Sequence, residues 1–123
     1  MQWLAVAGGG ALGALARFGV SALVAPLAGD RFPLATLVIN VSGCIVMGVL
    51  YVLIVERAAL PPGYRSFLMV GFLGAYTTFS AFSLDALALW QNGHPALAAL
   101  YVGLSVMLCL AGTLGGLLLT RLL

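Results

Sequence analysis

Charge is scarce in this chain of 123 residues: five basic and three acidic side chains make up 7% of it. Soluble domains carry roughly 25% charged residues, so the composition excludes an ordinary water-soluble fold. The formal net charge is only +2 at pH 7, and the arginines are scattered along the chain. We therefore expect no nucleic-acid partner, which would call for a clustered basic patch.

Histidine and cysteine are also rare, and their placement argues against disulfides and metal-binding sites. The one histidine, His94, falls in a short polar segment where we expect it to be solvated. Cys44 and Cys109 lie inside apolar runs, where neither secretory disulfides nor metal-binding spacings are found, and Cys44 is interpreted as a packing residue. No glycine-rich phosphate loop, paired histidine or nucleophile–base arrangement occurs, so we do not expect an enzyme.

Long apolar runs make up most of the chain, which is 63% hydrophobic. Turn-forming clusters at 26–33, 58–64 and 91–95 separate runs that each exceed the ~20 residues needed to cross ~30 Å of hydrocarbon. The first run is too long for a cleaved signal sequence, so we expect it to be retained. The sequence predicts an all-α integral membrane protein with a single four-span domain, its spans near residues 3–27, 33–56, 65–91 and 95–120.

Four helices offer little interior for polar groups, so we expect oligomerisation if the protein moves a solute. The spacings Gly9-x-x-x-Gly13 and Gly112-x-x-x-Gly116 supply small faces where helix backbones can approach closely. Because the chain has 16 glycines, these spacings favour general helix packing over a specific dimer seam.

The arginines give a weak orientation signal. In a four-span chain the N-terminus, the second loop and the C-terminus share one side, which would carry Arg57, Arg65 and Arg121 against Arg31 in the first loop. Arg17 lies toward the first-loop end of its span, and counting it there weakens the bias further. A chain with so little bias can insert in both orientations, and two opposed copies can then pair. This dual topology is a hypothesis.

Arg17 is the costliest residue in the spans, at about 2.5–3.5 kcal/mol if it lay at the centre of a lone helix. Two interpretations are open, and both can hold at once. The side chain can snorkel to the interface or pair with Asp30 or Asp85. It can also be a fixed positive charge at the mouth of a water-filled vestibule, where it would raise the local anion concentration.

Asn40 is a second polar residue inside a span, and Thr36 shares its helix face at i, i+4 spacing. An amide offers two N–H donors to whatever occupies the adjacent space. The residue is either a link between helices, worth ~0.6 kcal/mol, or a contact to a ligand.

The third predicted span is hard to explain as a helix that only crosses lipid. Gly71 and Gly74 precede Thr77 and Thr78, a combination that permits the backbone to leave helical geometry. Carbonyls exposed at such a break bind small cations.

Beyond the expected break, Phe79 and Phe82 face the same way at i, i+3 spacing, with Asp85 a further three residues on. Ser80 and Ser83 form a second, parallel polar stripe. Phenyl rings in membrane helices commonly face lipid or pack against neighbours. Two ring edges aimed at one point can also replace part of the water around a small anion, and such weak binding suits conduction because the ion can leave.

The fourth span carries Tyr101 and Ser105 at i, i+4 spacing, with Cys109 and Thr113 further along the same stripe. These groups either make hydrogen bonds between helices or form a ladder of donors along a path for a partly dehydrated anion.

Together these residues resemble the Fluc (CrcB-type) family of fluoride channels over nearly the whole chain. The resemblance is carried by GGGALGALARF at 8–18, TLVINVSG at 36–43, GFLGAYTTFSAFS at 71–83 and the Tyr101 and Ser105 pair. The third motif is the most specific, because few other families of short four-span proteins contain such a motif. Two positions depart from the family pattern: Ala35 stands where glycine is frequent, and Cys109, a weaker donor, stands where a hydroxyl is common. Thr113 is a candidate replacement for that hydroxyl.

The resemblance implies a passive fluoride-selective channel of the inner (plasma) membrane that exports fluoride and so confers fluoride resistance. The expected assembly is an antiparallel homodimer of dual topology with two pores and a central structural sodium ion. The implied sodium ligands are the backbone carbonyls of Gly74 and Thr77 from each subunit. Arg17 is expected beside the vestibule. The expected pore residues are Asn40, Phe79, Phe82, Tyr101 and Ser105, to which the polar stripes add Thr36, Ser80 and Ser83.

The main alternative is a proton-coupled drug exporter of the small, four-span, dual-topology class. Such exchange needs a membrane-embedded carboxylate, for which Asp85 is the only candidate, and an aromatic cage for organic cations. Trp3 and Trp90 instead fall near span ends, as interface anchors do. A third interpretation, a structural assembly subunit, explains the glycines but not the clustered polar groups.

Overall fold

The computed structural model describes residues 1–123 and is entirely helical. Four helices are long and apolar enough to cross a membrane, as the sequence predicts: Gln2–Ala28, Leu34–Glu56, Arg65–Gln91 and Pro95–Leu122, here called the first to fourth spans. Their mean hydropathies lie between 1.5 and 2.5.

The apolar surface of these spans faces mostly outward. In an apolar stretch of 18 residues in each span, 6% of the residues are buried in the first span and 28% in the second. The large exposed side chains are chiefly leucine, valine and aromatic residues. A chain with this surface needs lipid or another protein around it, because exposed apolar patches of this extent are not stable in water.

The ends of two spans beside the second loop are wound as π-helix. The second span is α-helical over Leu34–Leu50 and π-helical over Tyr51–Glu56, and the third span begins with π-helical Arg65–Leu73. The N–H of Arg57 accordingly bonds the carbonyl of Val52, five residues earlier, at 2.9 Å. Such wide turns are rare and occur mostly as single bulges.

The third span is broken, which confirms that prediction. A short α-helical turn, Gly74–Tyr76, follows the π-helical segment, and a separate α-helix runs over Phe79–Gln91. Between them Thr77 (φ −80°, ψ 157°) and Thr78 (φ −150°, ψ 118°) are extended. Gly74 itself is helical at φ −60° and ψ −37°. The combination of Gly71 and Gly74 with Thr77 and Thr78 was expected to permit this break. The two threonines leave the helix, whereas both glycines stay within it.

Gly71 instead lets the first and third spans pack backbone to backbone. A Cβ added at Gly71 would lie 2.7 Å from the carbonyl oxygen of Val6 and 3.1 Å from the Cα of Gly9. In return, a Cβ at Gly9 would overlap the carbonyl of Phe67, and one at Gly13 would overlap that of Phe72. Glycine is required at these positions because the two helix backbones lie too close together to admit a side chain.

The second and fourth spans form a similar seam. A Cβ at Gly48 would overlap the carbonyl of Thr113, and one at Gly116 would overlap that of Ile45. Both predicted glycine spacings therefore serve packing within one chain. At the end of this seam Arg57 donates hydrogen bonds to the carbonyls of Thr120 at 2.7 Å and Arg121 at 3.2 Å, which satisfies groups that a helix end leaves free.

Candidate functional site

Asn40 holds the break in the third span by a pair of hydrogen bonds. Its Oδ1 accepts from the backbone N–H of Thr78 at 2.8 Å, and its Nδ2 donates to the carbonyl of Thr78 at 3.0 Å. The amide thus pairs with extended backbone as a neighbouring strand would. Only one of its two N–H donors is used, so one remains for another partner. The sequence suggested a link between helices or a ligand contact, and this geometry leaves room for both.

Thr78 also begins the second half of the span. Its Oγ1 accepts from the N–H of Ala81 at 3.1 Å, which caps the helix that starts at Phe79. The N–H and the hydroxyl of Thr77 both donate to the carbonyl of Leu73, at 3.0 and 2.9 Å. The side chain of Thr77 is therefore turned back to its own helix, while its carbonyl belongs to the extended segment.

The break changes the surroundings of the Gly74 carbonyl. In an unbroken helix that carbonyl would accept from the N–H of Thr78, which here donates to Asn40 instead. A Cβ on Gly74 would meet nothing nearer than 3.9 Å, so this side of the chain is open. Free carbonyl oxygens are ligands that hard cations prefer. The chemistry of these carbonyls therefore fits the sodium ion that the resemblance implies.

A cavity of about 260 Å³ lies beside the break. The residues that line it come from the second, third and fourth spans: Asn40, Cys44, Thr77, Thr78, Phe79, Phe82, Ser105, Val106 and Cys109. No charged side chain is among them. The structure thus brings together four of the predicted pore residues, Asn40, Phe79, Phe82 and Ser105, around one space.

Ser105 is the polar group in this cavity that lacks a partner. The side chain is 5% exposed, and its hydroxyl is the only buried side-chain polar atom in the chain without a hydrogen bond. Burying an unpaired hydroxyl costs on the order of 1–3 kcal/mol. Such a group in a cavity wall is a donor available to a bound anion.

The aromatic rings form a connected series that begins at this cavity. The centroids of Phe79 and Phe82 are 5.4 Å apart, and those of Phe82 and Tyr101 are 5.3 Å apart. Phe32 meets Tyr101 edge to face at 5.5 Å. The two phenylalanines differ in burial: Phe82 is 9% exposed and Phe79 is 78% exposed. In a single chain, one side of the cavity is therefore formed by a ring on the protein surface.

The polar side chains along the fourth span have different partners. Tyr101 is fully buried and donates from its hydroxyl to Oδ2 of Asp85 at 3.3 Å. Ser105 and Cys109 line the cavity, whereas the hydroxyl of Thr113 donates to the carbonyl of Cys109 within its own helix at 3.1 Å. Thr113 therefore does not take the place of the missing hydroxyl in the cavity.

Arg17 lines a separate, open cavity of about 600 Å³, which Thr36, Thr78 and Ser80 also line. The one ion pair in the structure joins Arg121 and Glu56. The suggested pairing of Arg17 with Asp30 or Asp85 is therefore wrong, because both carboxylates line a different cavity, of about 310 Å³, beside the first loop. The guanidinium is a free positive charge, close to hydroxyl groups.

Ser80 and Ser83, on the same helix, have different partners. Ser80 lies against the hydroxyl of Thr78 at 3.2 Å and lines the Arg17 cavity. Ser83 donates to the carbonyl of Phe79 at 2.9 Å, within its own helix. Neither serine lines the cavity that contains the two phenylalanines.

The structure contains no aromatic cage of the kind that the alternative, a proton-coupled exporter, needs. Its one candidate carboxylate, Asp85, is engaged by the hydroxyl of Tyr101. Trp3 and Trp90 are 88% and 64% exposed and line no common cavity with Asp85, so they form no cage around it.

Two features of the site escaped the sequence analysis. Thr78 was considered only for its contribution to the break, although it also caps the following helix. Cys44 was interpreted as packing, but it lines the cavity together with Cys109. The i, i+4 spacing of Cys44 and Asn40 placed both on one face of the second span, and this signal was available.

The chain is similar in sequence to known proteins over nearly its whole length. Residues 4–117 match the family described as "CrcB-like protein, Camphor Resistance (CrcB)". The chain is 53% identical over 119 residues to the "Fluoride-specific ion channel FluC" of Saccharophagus degradans, covering 97% of this chain and 89% of that protein. It is 49% identical over 114 residues to the protein of the same name from Aeromonas salmonicida, covering 93% and 91%. The FluC of Methylococcus capsulatus is 55% identical over 121 residues, which cover 98% of this chain and 53% of that protein.

Proposed function

Since the chain belongs to the CrcB family, we propose that it is a passive fluoride-selective ion channel of the inner (plasma) membrane. Relatives that share about half of its residues over nearly their full length carry the name of a fluoride-specific ion channel. The four membrane spans provide the multi-pass framework. No catalytic step is part of this proposal.

The observation that carries the proposal is the set of unused donors around the cavity. The second N–H of Asn40 and the hydroxyl of Ser105 have no partner in the chain. Both line a space that holds no carboxylate. A partly dehydrated anion would satisfy these donors, whereas a cation would leave them unpaired.

The rings of Phe79 and Phe82 add selectivity by size and by weak attraction. The edge of a phenyl ring is the positive part of its quadrupole, so a small anion between two edges is stabilised without being held tightly. Conduction needs binding that is favourable enough to enter and weak enough to leave. A larger halide such as chloride would have to push the rings apart.

We propose that the working unit is an antiparallel homodimer with two pores. Phe79 is exposed in the single chain, and Gly74 opens onto free space. A second, opposed copy would cover both. A sodium ion bound by the carbonyls of Gly74 and Thr77 from each copy would lock the two breaks together.

The direction of flow follows from the membrane potential. With the cell interior negative, an anion is driven outward by about 2.3 kcal/mol per elementary charge for each 100 mV. Hydrogen fluoride enters neutral and dissociates in the cytoplasm, so an open channel prevents the ion from accumulating.

Fluoride efflux from liposomes that contain the purified protein tests the function. We expect efflux of fluoride but not of chloride, with no dependence on a proton gradient. Efflux that requires a proton gradient would instead indicate the exporter mechanism, and equal chloride efflux would contradict selectivity.

Asn40→Asp tests the assignment of the donor at the break. The substitution keeps an acceptor for the N–H of Thr78 but removes the N–H donors and places negative charge in the path. We expect no measurable fluoride flux from protein that remains folded by size-exclusion chromatography. Normal flux through folded Asn40→Asp protein would contradict the role of Asn40, while the function as such would still rest on the wild-type measurement.

A further inference from the structure

The two cysteines of the chain line the same cavity. Cys44 comes from the second span and Cys109 from the fourth, and both are free, half-buried thiols. Both line the cavity beside Phe79 and Phe82. No other cysteine occurs in the sequence.

The spacing of the two thiols is fixed by the helices that carry them. Next to the pair, a Cβ on Gly112 would lie 3.0 Å from Cγ1 of Ile45 and 3.4 Å from the carbonyl of Val41. One turn further, Gly48 and Gly116 meet backbone to backbone. A seam this tight cannot open to separate the thiols without losing its packing.

The surroundings select the kind of ligand that such a pair can take. No carboxylate or imidazole lines the cavity, and no group of three or more histidine, cysteine or acidic side chains occurs in the structure. Zinc sites need at least three protein ligands, and hard cations need several oxygens. Two thiolates suit a soft metal ion that adopts linear, two-coordinate geometry.

We propose that Cys44 and Cys109 form a binding site for a soft, two-coordinate metal ion, of which the mercuric ion fits best. Both thiols lose their protons to water, both sulfur atoms bind the ion, and the product is a neutral bis-thiolate. Neutrality matters inside a membrane, where a net charge is costly. Monovalent silver or copper would leave a net negative charge on the same pair and bind less readily.

An ion held there would lie in the cavity wall one helical turn from Asn40 and Ser105 and narrow the cavity. We expect it to block fluoride flux. This consequence rests on the proposed function, whereas the binding itself does not.

Titration of the purified, detergent-solubilised protein with mercuric chloride tests the binding without any flux measurement. The ultraviolet charge-transfer band of a mercury bis-thiolate should saturate at one ion per chain, with loss of both titratable thiols. Cys44→Ser and Cys109→Ser should each weaken binding by more than about 100-fold, since even the outer partners of a metal site are worth 10–100-fold. Thr113→Val, which alters a hydroxyl outside the cavity, should bind as the wild type does.

Saturation at two ions per chain would overturn the proposal, because each thiol would then bind alone. Equal affinity in Cys44→Ser and wild type would overturn it as well. Cys44→Ala serves as a second variant if the serine protein does not fold, as judged by size-exclusion chromatography.

Fluoride efflux, compared with and without mercuric ion for each variant, tests the block separately. We expect nearly complete loss of efflux in the wild type, recovery with a small dithiol, and no loss in the double variant Cys44→Ser/Cys109→Ser. Binding at one ion per chain without any loss of efflux would confirm the site and contradict the proposed path through this cavity. Equal loss in the double variant would show that mercury acts elsewhere and would overturn the block at this site.

Discussion

The two halves of the third span contact the rest of the chain in opposite ways. Before the break, Gly71 lies against the backbone of the first span, with the position of its absent Cβ 2.7 Å from the carbonyl of Val6. After the break, Phe79 and Phe82 extend side chains into a cavity shared with the second and fourth spans. The half before the break therefore packs through the absence of a side chain at Gly71. The half after the break contacts the chain through the side chains of Phe79 and Phe82.

This difference has a physical purpose in a short membrane protein. Inside a bilayer there is no hydrophobic force to hold helices together, so close packing of small residues does that work. The first half anchors the span and leaves its last carbonyls free at the break. The second half, started anew by Thr78 and held by Asn40, can then be aimed by side-chain contacts rather than by the direction of the first helix.

Substitution of the anchor should have the largest effect. Gly71→Leu forces a side chain into backbone atoms of the first span, which cannot move aside as a flexible side chain would. Overpacking costs about 1–3 kcal/mol and sometimes more, and here we expect loss of folded protein. Size-exclusion chromatography and thermal unfolding in detergent measure this.

Gly103→Leu is the matched control for that variant. A Cβ at Gly103, within the helix of the fourth span, would meet nothing within 4 Å, so folding should be retained. If Gly71→Leu folds as well as Gly103→Leu, the anchor role of the first half is refuted.

Substitutions of the two phenylalanines should separate effects on stability from effects on fluoride flux. Phe82→Ala removes a buried ring and should lower the free energy of unfolding by about 2 kcal/mol, less than the 3–5 kcal/mol of soluble cores because lipid replaces water as the reference. Phe79→Ala removes an exposed ring and should leave the stability of a single chain nearly unchanged. Both should reduce fluoride efflux from liposomes severalfold or more.

Equal destabilisation by the two substitutions would show that Phe79 is buried in the working assembly. That result would favour the dimer, in which a second copy covers the ring, and would weaken the contrast between anchored and exposed surfaces. Unchanged efflux in both variants would remove the rings from the path.

The sequence predicted much of this arrangement, but not all for the same reason. Long apolar runs were enough for the four spans. The glycines followed by two threonines predicted the break, but not which of these residues leave the helix. The i, i+3 spacing of Phe79 and Phe82 correctly placed both rings on one side. These are properties of a single helix, which local periodicity describes.

Properties that depend on two helices could not be predicted in the same way. Asn40 and Thr78 are 38 positions apart, and no local pattern indicates their reciprocal hydrogen bonds. The same holds for the free hydroxyl of Ser105 and for Thr113, whose bond to its own helix removes it from the cavity. Periodicity gives the face of a helix but not the neighbour that the face meets.

The cap at the break should have a smaller effect than either ring. Thr78→Ala removes the oxygen that accepts from the N–H of Ala81, a loss worth about 1 kcal/mol at a helix start. Thr78→Ser keeps that oxygen and should behave as the wild type does in thermal unfolding. Equal melting of all three proteins would mean that the second half of the span starts without its cap and is held by Asn40 alone.

The smallest effect should come from Arg17, which touches neither half through a bond. Arg17→Gln removes a charge from the open cavity that Ser80 also lines, and we expect about a threefold loss of fluoride efflux at low ionic strength through weaker attraction of anions. The loss should fade as salt rises, because the screening length falls from about 10 Å at 0.1 M to about 3 Å at 1 M. Arg65→Gln, near the second loop, is the matched control for the removal of one positive charge. A loss that persists at high salt would instead mean that Arg17 contacts the ion directly, which would extend the functional surface of the second half from the cavity at Phe82 to the vestibule.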